Sequence, residues 1–126
     1  MMRLGGTIHG KPIRVFIDYG SASNFLNPAM ATKLGIPVHH VSSLRFTSAS
    51  GHQLRPSGTV WEVIVHIQSY NLTDDLLLLP VKGCDLVLGA KWLSTLDFIG
   101  WHFANKLMIF FSNGKCYTLQ GTNSGR

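Results

Sequence analysis

Apolar and polar residues alternate with a period of two over much of this chain, in short runs broken by glycine, proline and asparagine. Ile13, Val15 and Ile17 fall on one face of a segment that ends in Asp18, the pattern of a half-buried strand. With residues 7–9 that segment flanks Gly10-Lys11-Pro12 and reads as a β-hairpin. Trp61, Val63, Val65 and Ile67 share one face of another strand over residues 60–67. Leu76-Leu77-Leu78-Leu79-Pro80 is apolar without a break, which predicts a strand covered on both faces, and Asp74 and Asp75 before it read as a polar turn. Leu86, Val87, Leu88 and Gly89 form a second such run, and residues 90–96 predict one or two helical turns. Residues 44–47 and 53–55 bracket a small hairpin tip, Ser48-Ala49-Ser50-Gly51-His52. Residues 99–103 and 106–111 form a third hairpin around Ala104-Asn105, and Asn113-Gly114 is a strong turn signal into residues 115–119. The clearest helix signature is Asn27 as N-cap, Pro28 at the first helical position and Gly35 as stop.

These elements amount to a series of short strands with one or two short helices, so the fold class is all-β, a closed barrel or a sandwich. The 126 residues suit one domain over residues 1–120, followed by a polar C-terminal tail over residues 121–126. Composition agrees, since 45% hydrophobic and 13% charged residues exclude a disordered tail and a coiled coil. No apolar run approaches the roughly 20 residues of a bilayer span. The opening Met1-Met2-Arg3-Leu4-Gly5-Gly6 carries no apolar signal core, so a soluble cytoplasmic protein without a membrane partner is expected.

The net charge of +5 raises the question of nucleic acid, but the eleven Lys and Arg residues are scattered singly. No run tracks a phosphate backbone, so no nucleic-acid partner is required. Cys84 and Cys116 lack any Cys-x-x-Cys spacing, and His39-His40 would point to opposite faces of a strand. Neither a metal nor a cofactor is expected, and the two cysteines read as buried thiols. Trp61, Trp92 and Trp101 read as core residues. Ser21 has no motif-placed His and Asp to activate it as a nucleophile.

The chemistry concentrates at Asp18-Tyr19-Gly20, directly after a buried strand and followed by Ser21-Ala22-Ser23-Asn24-Phe25-Leu26. Taken alone, Asp before a glycine turn is an ordinary turn residue. Its context changes that reading: Leu86-Val87-Leu88-Gly89 follows downstream, then Lys91-Trp92-Leu93, then Trp101-His102-Phe103. In this order the pieces resemble the protease domain of gypsy-type LTR retrotransposons, particularly the plant ones, from about Leu4 to Phe111. The resemblance implies a retropepsin-like closed barrel, a homodimer, and cleavage of a peptide or polyprotein substrate. It carries Asp18 over as catalytic, with Tyr19, Gly20, Ser21 and Ala22 completing the active-site loop. Leu86, Val87, Leu88 and Gly89 become the segment supporting that loop. Ala49, Ser50, Gly51 and His52 become the flap that closes over substrate. For Gly51 and Gly89 a plain turn or packing role stays open beside the functional one.

Aspartic proteolysis needs two carboxylates close enough to share one proton, one activating water and the other polarising the scissile carbonyl. Only one Asp-x-Gly stands at a strand end here, and Asp74, Asp75, Asp85 and Asp97 are not placed as a second catalytic loop. A two-fold axis would then supply the second Asp18. The hydroxyl of Ser21 is expected to donate to the Asp18 carboxylate. Two departures from the family stand out: Tyr19 replaces a Ser or Thr whose hydroxyl braces the partner loop, and Lys91 stands where an acidic or amide residue is common. Two readings follow, an active homodimeric aspartic endopeptidase and a catalytically silent or domesticated fold acting as an interaction module.

Overall fold

The computed structural model describes residues 1–40, 46–47 and 53–122. Among them six strands close a barrel in the order β1-β2-β8-β3-β7-β6. These are β1 (Met2–Ile8), β2 (Lys11–Ile17), β3 (Phe25–Leu26), β6 (Gly58–Ile67), β7 (Tyr70–Leu78) and β8 (Leu86–Leu88). A three-stranded sheet, β11-β10-β9, packs beside the barrel and is built from β9 (Asp97–His102), β10 (Leu107–Ser112) and β11 (Lys115–Gln120). A two-stranded ribbon pairs β4 (Phe46–Thr47) with β5 (Gln53–Leu54). The expected flap residues Ala49, Ser50, Gly51 and His52, like residues 41–45 and 123–126, lie outside the described residues. Among the described residues no helix is long and apolar enough to cross a membrane.

The first hairpin is tighter than Gly10-Lys11-Pro12 suggested. His9 and Gly10 make the turn at φ 52° and 74°, and Lys11 and Pro12 already belong to β2. Two positive-φ residues match the right-handed twist of the flanking strands, and Pro near a strand start costs little. Asn113 and Gly114 repeat the device between β10 and β11, at φ 51° and 75°. The helix α1 (Pro28–Leu34) starts and stops where its caps predict. The Asn27 side chain accepts from the Ala29 N–H, and Gly35 closes the helix at φ 67°.

Ile8, Ile17, Val15, Leu26, Val60, Val65, Leu76, Leu86 and Leu88 fill the barrel, all essentially without solvent exposure. Val87 turns the other way, joining Phe25 and Cys84 in a small second cluster against which Leu77 and Leu79 pack. The leucine run is therefore covered on both faces as expected, although Leu77 and Leu79 are only half-buried. Asp74 and Asp75 correct the expected turn, because both lie within β7.

Trp61 is the other correction. The β6–β7 register passes from Val60↔Leu76 to Val63↔Asp74, so β6 carries one extra residue there. That bulge, with Glu62 at φ 52°, keeps Val60, Val63 and Val65 inside and turns Trp61 out to 49% exposure. A second bulge, at the Phe110/Phe111 step of the β9–β10 pair, leaves Phe98 at φ 32° and 89% exposed. Gly121 and Thr122, expected to begin a frayed tail, are tied down instead. Their N–H groups donate to Lys106 O and Arg3 O, each at 2.7 Å. Cys116 also departs from expectation: it is exposed, and only Cys84 is buried.

Trp92 in α2 (Ala90–Leu93) joins barrel to sheet. Its indole Nε1–H donates to Tyr70 Oη at 3.1 Å, and Tyr70 stands edge-on to Phe110 at 5.0 Å and to Tyr117 at 4.9 Å. Tyr70→Phe would keep the ring and orphan a buried indole N–H, at a cost of about 1–3 kcal/mol. Thermal melts should show the variant unfolding several degrees below the parent, with unchanged far-ultraviolet circular dichroism. Burial pushes the Cys84 thiol up from its ordinary value, only partly opposed by nearby Arg3. Native protein treated with iodoacetamide should therefore take one label, at Cys116, and a second only on unfolding.

Candidate active site

β2 delivers Asp18 at its C-terminal end, where the chain leaves the barrel wall. The Asp18 N–H still continues the parallel β2–β8 pairing by donating to Leu88 O at 3.0 Å. Its carboxylate Oδ1 accepts the Gly20 N–H at 2.9 Å, and its carbonyl accepts the Ser21 N–H at 3.1 Å. Asp18 is half-buried, and Tyr19 projects outward with 69% exposure. Gly20 keeps an ordinary negative-φ backbone, so what favours glycine is space: a Cβ would lie 3.2 Å from Asp18 Oδ1. The expected Ser21-to-Asp18 hydrogen bond is not formed, because Ser21 Oγ donates to Ser23 O at 2.9 Å, closing a local turn.

Residues 86–89 lie directly behind this loop. The inward faces of Leu86 and Leu88 anchor β8 in the core, and the chain then turns at Gly89 into α2. A Cβ on Gly89 would collide with Ser21 O and sit 2.5 Å from Ser23 O. Gly89 is a close-approach glycine. The Gly89 N–H donates to the buried Asn24 Oδ1 at 2.9 Å, the Ala90 N–H to Ser21 O at 2.7 Å and the Lys91 N–H to Ala22 O at 3.1 Å. The first amides of a helix have no partner within it, and here the Asp18 loop supplies the acceptors.

Asn24 and Asp74 support the Asp18 loop, a role that the sequence did not single out for either. Asn24 is 1% exposed; its amide nitrogen donates to Asp74 Oδ2, and its carbonyl accepts the Leu77 N–H at 3.1 Å. Asp74 Oδ1 in turn holds Lys91 Nζ at 3.1 Å. The usable signal was the polar Asn24 set between residues 13–17 and the apolar pair Phe25-Leu26, which marks a buried polar group needing partners. Asp85 is buried as well, but its role is local. It accepts the Arg14 N–H at 2.7 Å and pairs with the Arg14 guanidinium at 3.2 Å, which raises the Arg14 pKa further above its already high ordinary value. Asp97 sits exposed in β9. Among the described residues, no three His, Cys, Asp or Glu side chains gather as a metal site. The loop thus offers one carboxylate that no cation pairs among the described residues, at a barrel end, on a backbone fixed from behind.

Asn24→Ala would leave the Gly89 N–H buried without an acceptor, at about 1–3 kcal/mol. Gly89→Ala would push against two carbonyls and should cost at least as much. Denaturant unfolding should show both losses. Hydrogen exchange should localise added opening to residues 18–24 and the start of α2.

Solved structures share this architecture at low identity. The retroviral protease-like domain of Ddi1 from Leishmania major superposes with a TM-score of 0.68 at 12% identity, covering 100% of this chain and 98% of that one. The retropepsin-like barrel expected from the sequence is the fold observed. The Simian Foamy Virus (mac) protease gives a TM-score of 0.47 at 14% identity, over 76% of this chain and 99% of that one. None of the curated proteins compared matches the chain. The family model described as Retroviral aspartyl protease matches residues 5–113, taking in the Asp18 loop, β8 and the Trp92 helix, and the chain belongs to that family.

Proposed function

We propose that this chain is one half of an aspartic endopeptidase of the gypsy-type retrotransposon kind, cleaving a polyprotein in the cytoplasm as a homodimer. The observation that carries the reading is the Asp18 loop: a carboxylate that no cation pairs among the described residues, held at a barrel end by β8 and α2. A two-fold partner would set a second Asp18 beside the first. One carboxylate would then take a proton from water while the other, protonated, polarises the peptide carbonyl, and neither nucleic acid nor a cofactor is needed. Two surface features fit a symmetric partner. Tyr19 exposes a large ring next to Asp18, and β9, a sheet edge among the described residues, carries Phe98 at 89% exposure. Unpaired edges and exposed apolar side chains favour association.

Tyr19 also favours the second reading, a catalytically silent fold that serves as an interaction module. Relatives of the kind resembled carry Ser or Thr there, and a phenol cannot make the same short reach to a partner backbone. Misplacing reacting groups by about an ångström can cost on the order of a hundredfold in rate. Incubating the chain with a peptide library at mildly acidic pH, with and without pepstatin, separates the readings. The endopeptidase should cleave, pepstatin should stop it, and Asp18→Asn should lower the rate by about 10²–10⁴-fold. Tyr19→Thr should tighten dimerisation in sedimentation and raise cleavage together. If Tyr19→Thr dimerises and no peptide is cut, the silent-module reading takes over. A strict monomer that still cleaves would overturn the two-chain mechanism.

A further inference from the structure

Trp61 stands half exposed in a barrel strand whose neighbours Val60 and Val63 are buried. The bulge that turns it outward requires Glu62, a residue with a Cβ, to hold φ 52°. Asp75 fixes that geometry, its Oδ1 accepting the Glu62 N–H at 2.8 Å. On its other side the indole leans on the His39 ring, with centroids 5.6 Å apart. An indole withheld from the core, on a strained bulge with its own support, points to a use at the surface.

A cavity of about 310 Å³ opens beside it, lined by Trp61 together with Thr59 and Leu77. Ser23 and Asn24 also line it, and these continue the loop that begins at Asp18, so the cavity borders the candidate active site. Two charged residues line it, Lys91 and Asp75, and Asp74 stands behind Lys91 as its ion-pair partner. Lys91 and Asp74 offset each other across 3.1 Å, and Asp74 is further engaged by Asn24. Asp75 is the excess charge, and its Oδ2 accepts no hydrogen bond among the described residues. An aromatic face next to a carboxylate with an unused oxygen is the chemistry that holds a cation on an apolar stem.

We propose that this cavity is a specificity subsite for a Lys or Arg side chain of the substrate, at a position removed from the scissile bond, with Trp61 and Asp75 as its selecting residues. The proposal rests on the endopeptidase reading. The stem lies along the indole, and the cationic head meets Asp75 Oδ2. An acidic side chain would meet net negative charge, and a purely apolar one would leave Asp75 dry and unpaired.

The test is a positional-scanning octapeptide library carrying Arg, norleucine or Glu in turn at each position. One position should favour Arg over norleucine on the order of tenfold, the sum of a cation–π contact and a partly exposed ion pair. Trp61→Ala and Asp75→Asn should each bring that ratio towards one. Because the ratio is internal, a change in overall rate does not disturb it. Asn at position 75 keeps an oxygen for the Glu62 N–H, so the bulge survives, and a melt checks this. Cleavage with no basic preference at any position, or a preference that both variants retain, overturns the subsite and leaves the endopeptidase reading intact. If the wild type cleaves nothing, the endopeptidase reading fails, and the Trp61 indole resonance, identified by its loss in Trp61→Phe, decides the pocket. Its shift with N-acetyl-arginine amide but not N-acetyl-norleucine amide supports cation recognition, and no shift with either overturns it.

Discussion

The Asn24 side chain, buried where the Asp18 loop rejoins the barrel, holds two pieces of chain that have no ladder between them. Its Oδ1 receives the Gly89 N–H, its Nδ2 reaches Asp74, and its backbone carbonyl takes the Leu77 N–H. A buried amide is tolerable only when such valences are filled, and filling them fixes the distance between the loop, β7 and the β8–α2 corner. Gly89 is the counterpart. With no Cβ, it lets the corner approach the carbonyls of Ser21 and Ser23 closely enough for the Ala90 and Lys91 amides to donate into the loop. α2 is four residues long and gains its N-terminal acceptors from the loop it supports. Loop and helix are each incomplete without the other.

That corner is in turn seated on the second layer. Trp92, one turn into α2, packs against Phe110 at 5.8 Å and hydrogen bonds to Tyr70 at the start of β7. The three-stranded sheet therefore does more than cover the barrel. Through Phe110 and Tyr117 it holds the aromatic cluster that sets where α2 lies, and thereby where residues 21–24 lie. Lys91 adds a polar strap by reaching from α2 to Asp74. It is one of the two residues that depart from the pattern the sequence resembles, yet it has a well-defined electrostatic partner. The ion pair is half exposed and contributes little to stability by itself, so its value here is in direction.

The sequence was most legible where one residue type answers one backbone need. The caps Asn27 and Gly35, the Asn113-Gly114 turn, the strand leading to Asp18 and the run ending at Gly89 all lie where their chemistry placed them. It was least legible at the two bulges. A period-two pattern assigns faces by parity, and one inserted residue reverses parity from that point on. Trp61 looked like a core residue because it alternates with Val63 and Val65, but the extra residue at Glu62 puts Val60 inside instead. Asp74 and Asp75 looked like a turn because adjacent acids rarely sit in a strand. Their partners, Asn24, Lys91 and the Glu62 amide, come from far along the chain, and no local pattern reveals them. Ser21 failed for the opposite reason: the carbonyl of Ser23, two residues away, is the nearer acceptor.

Position 19 separates fold from function in this architecture. The contacts that fix the loop within the chain come from Asp18, Gly20, Ser21, Ala22 and Asn24, and among the described residues no hydrogen bond uses the Tyr19 side chain. A tyrosine there leaves the loop as well supported from behind as a serine or threonine would. Whatever Tyr19 changes, it changes on the outward side, where a partner loop would stand. Loop geometry is thus a property of the single chain, set by Asn24 and Gly89, while in the proposed dimer the spacing of two carboxylates would be a property of the pair. A substitution at the surface of the loop can weaken the second without moving the first, which is how a family member can keep its barrel and its Asp18 intact while its chemistry is tuned or lost.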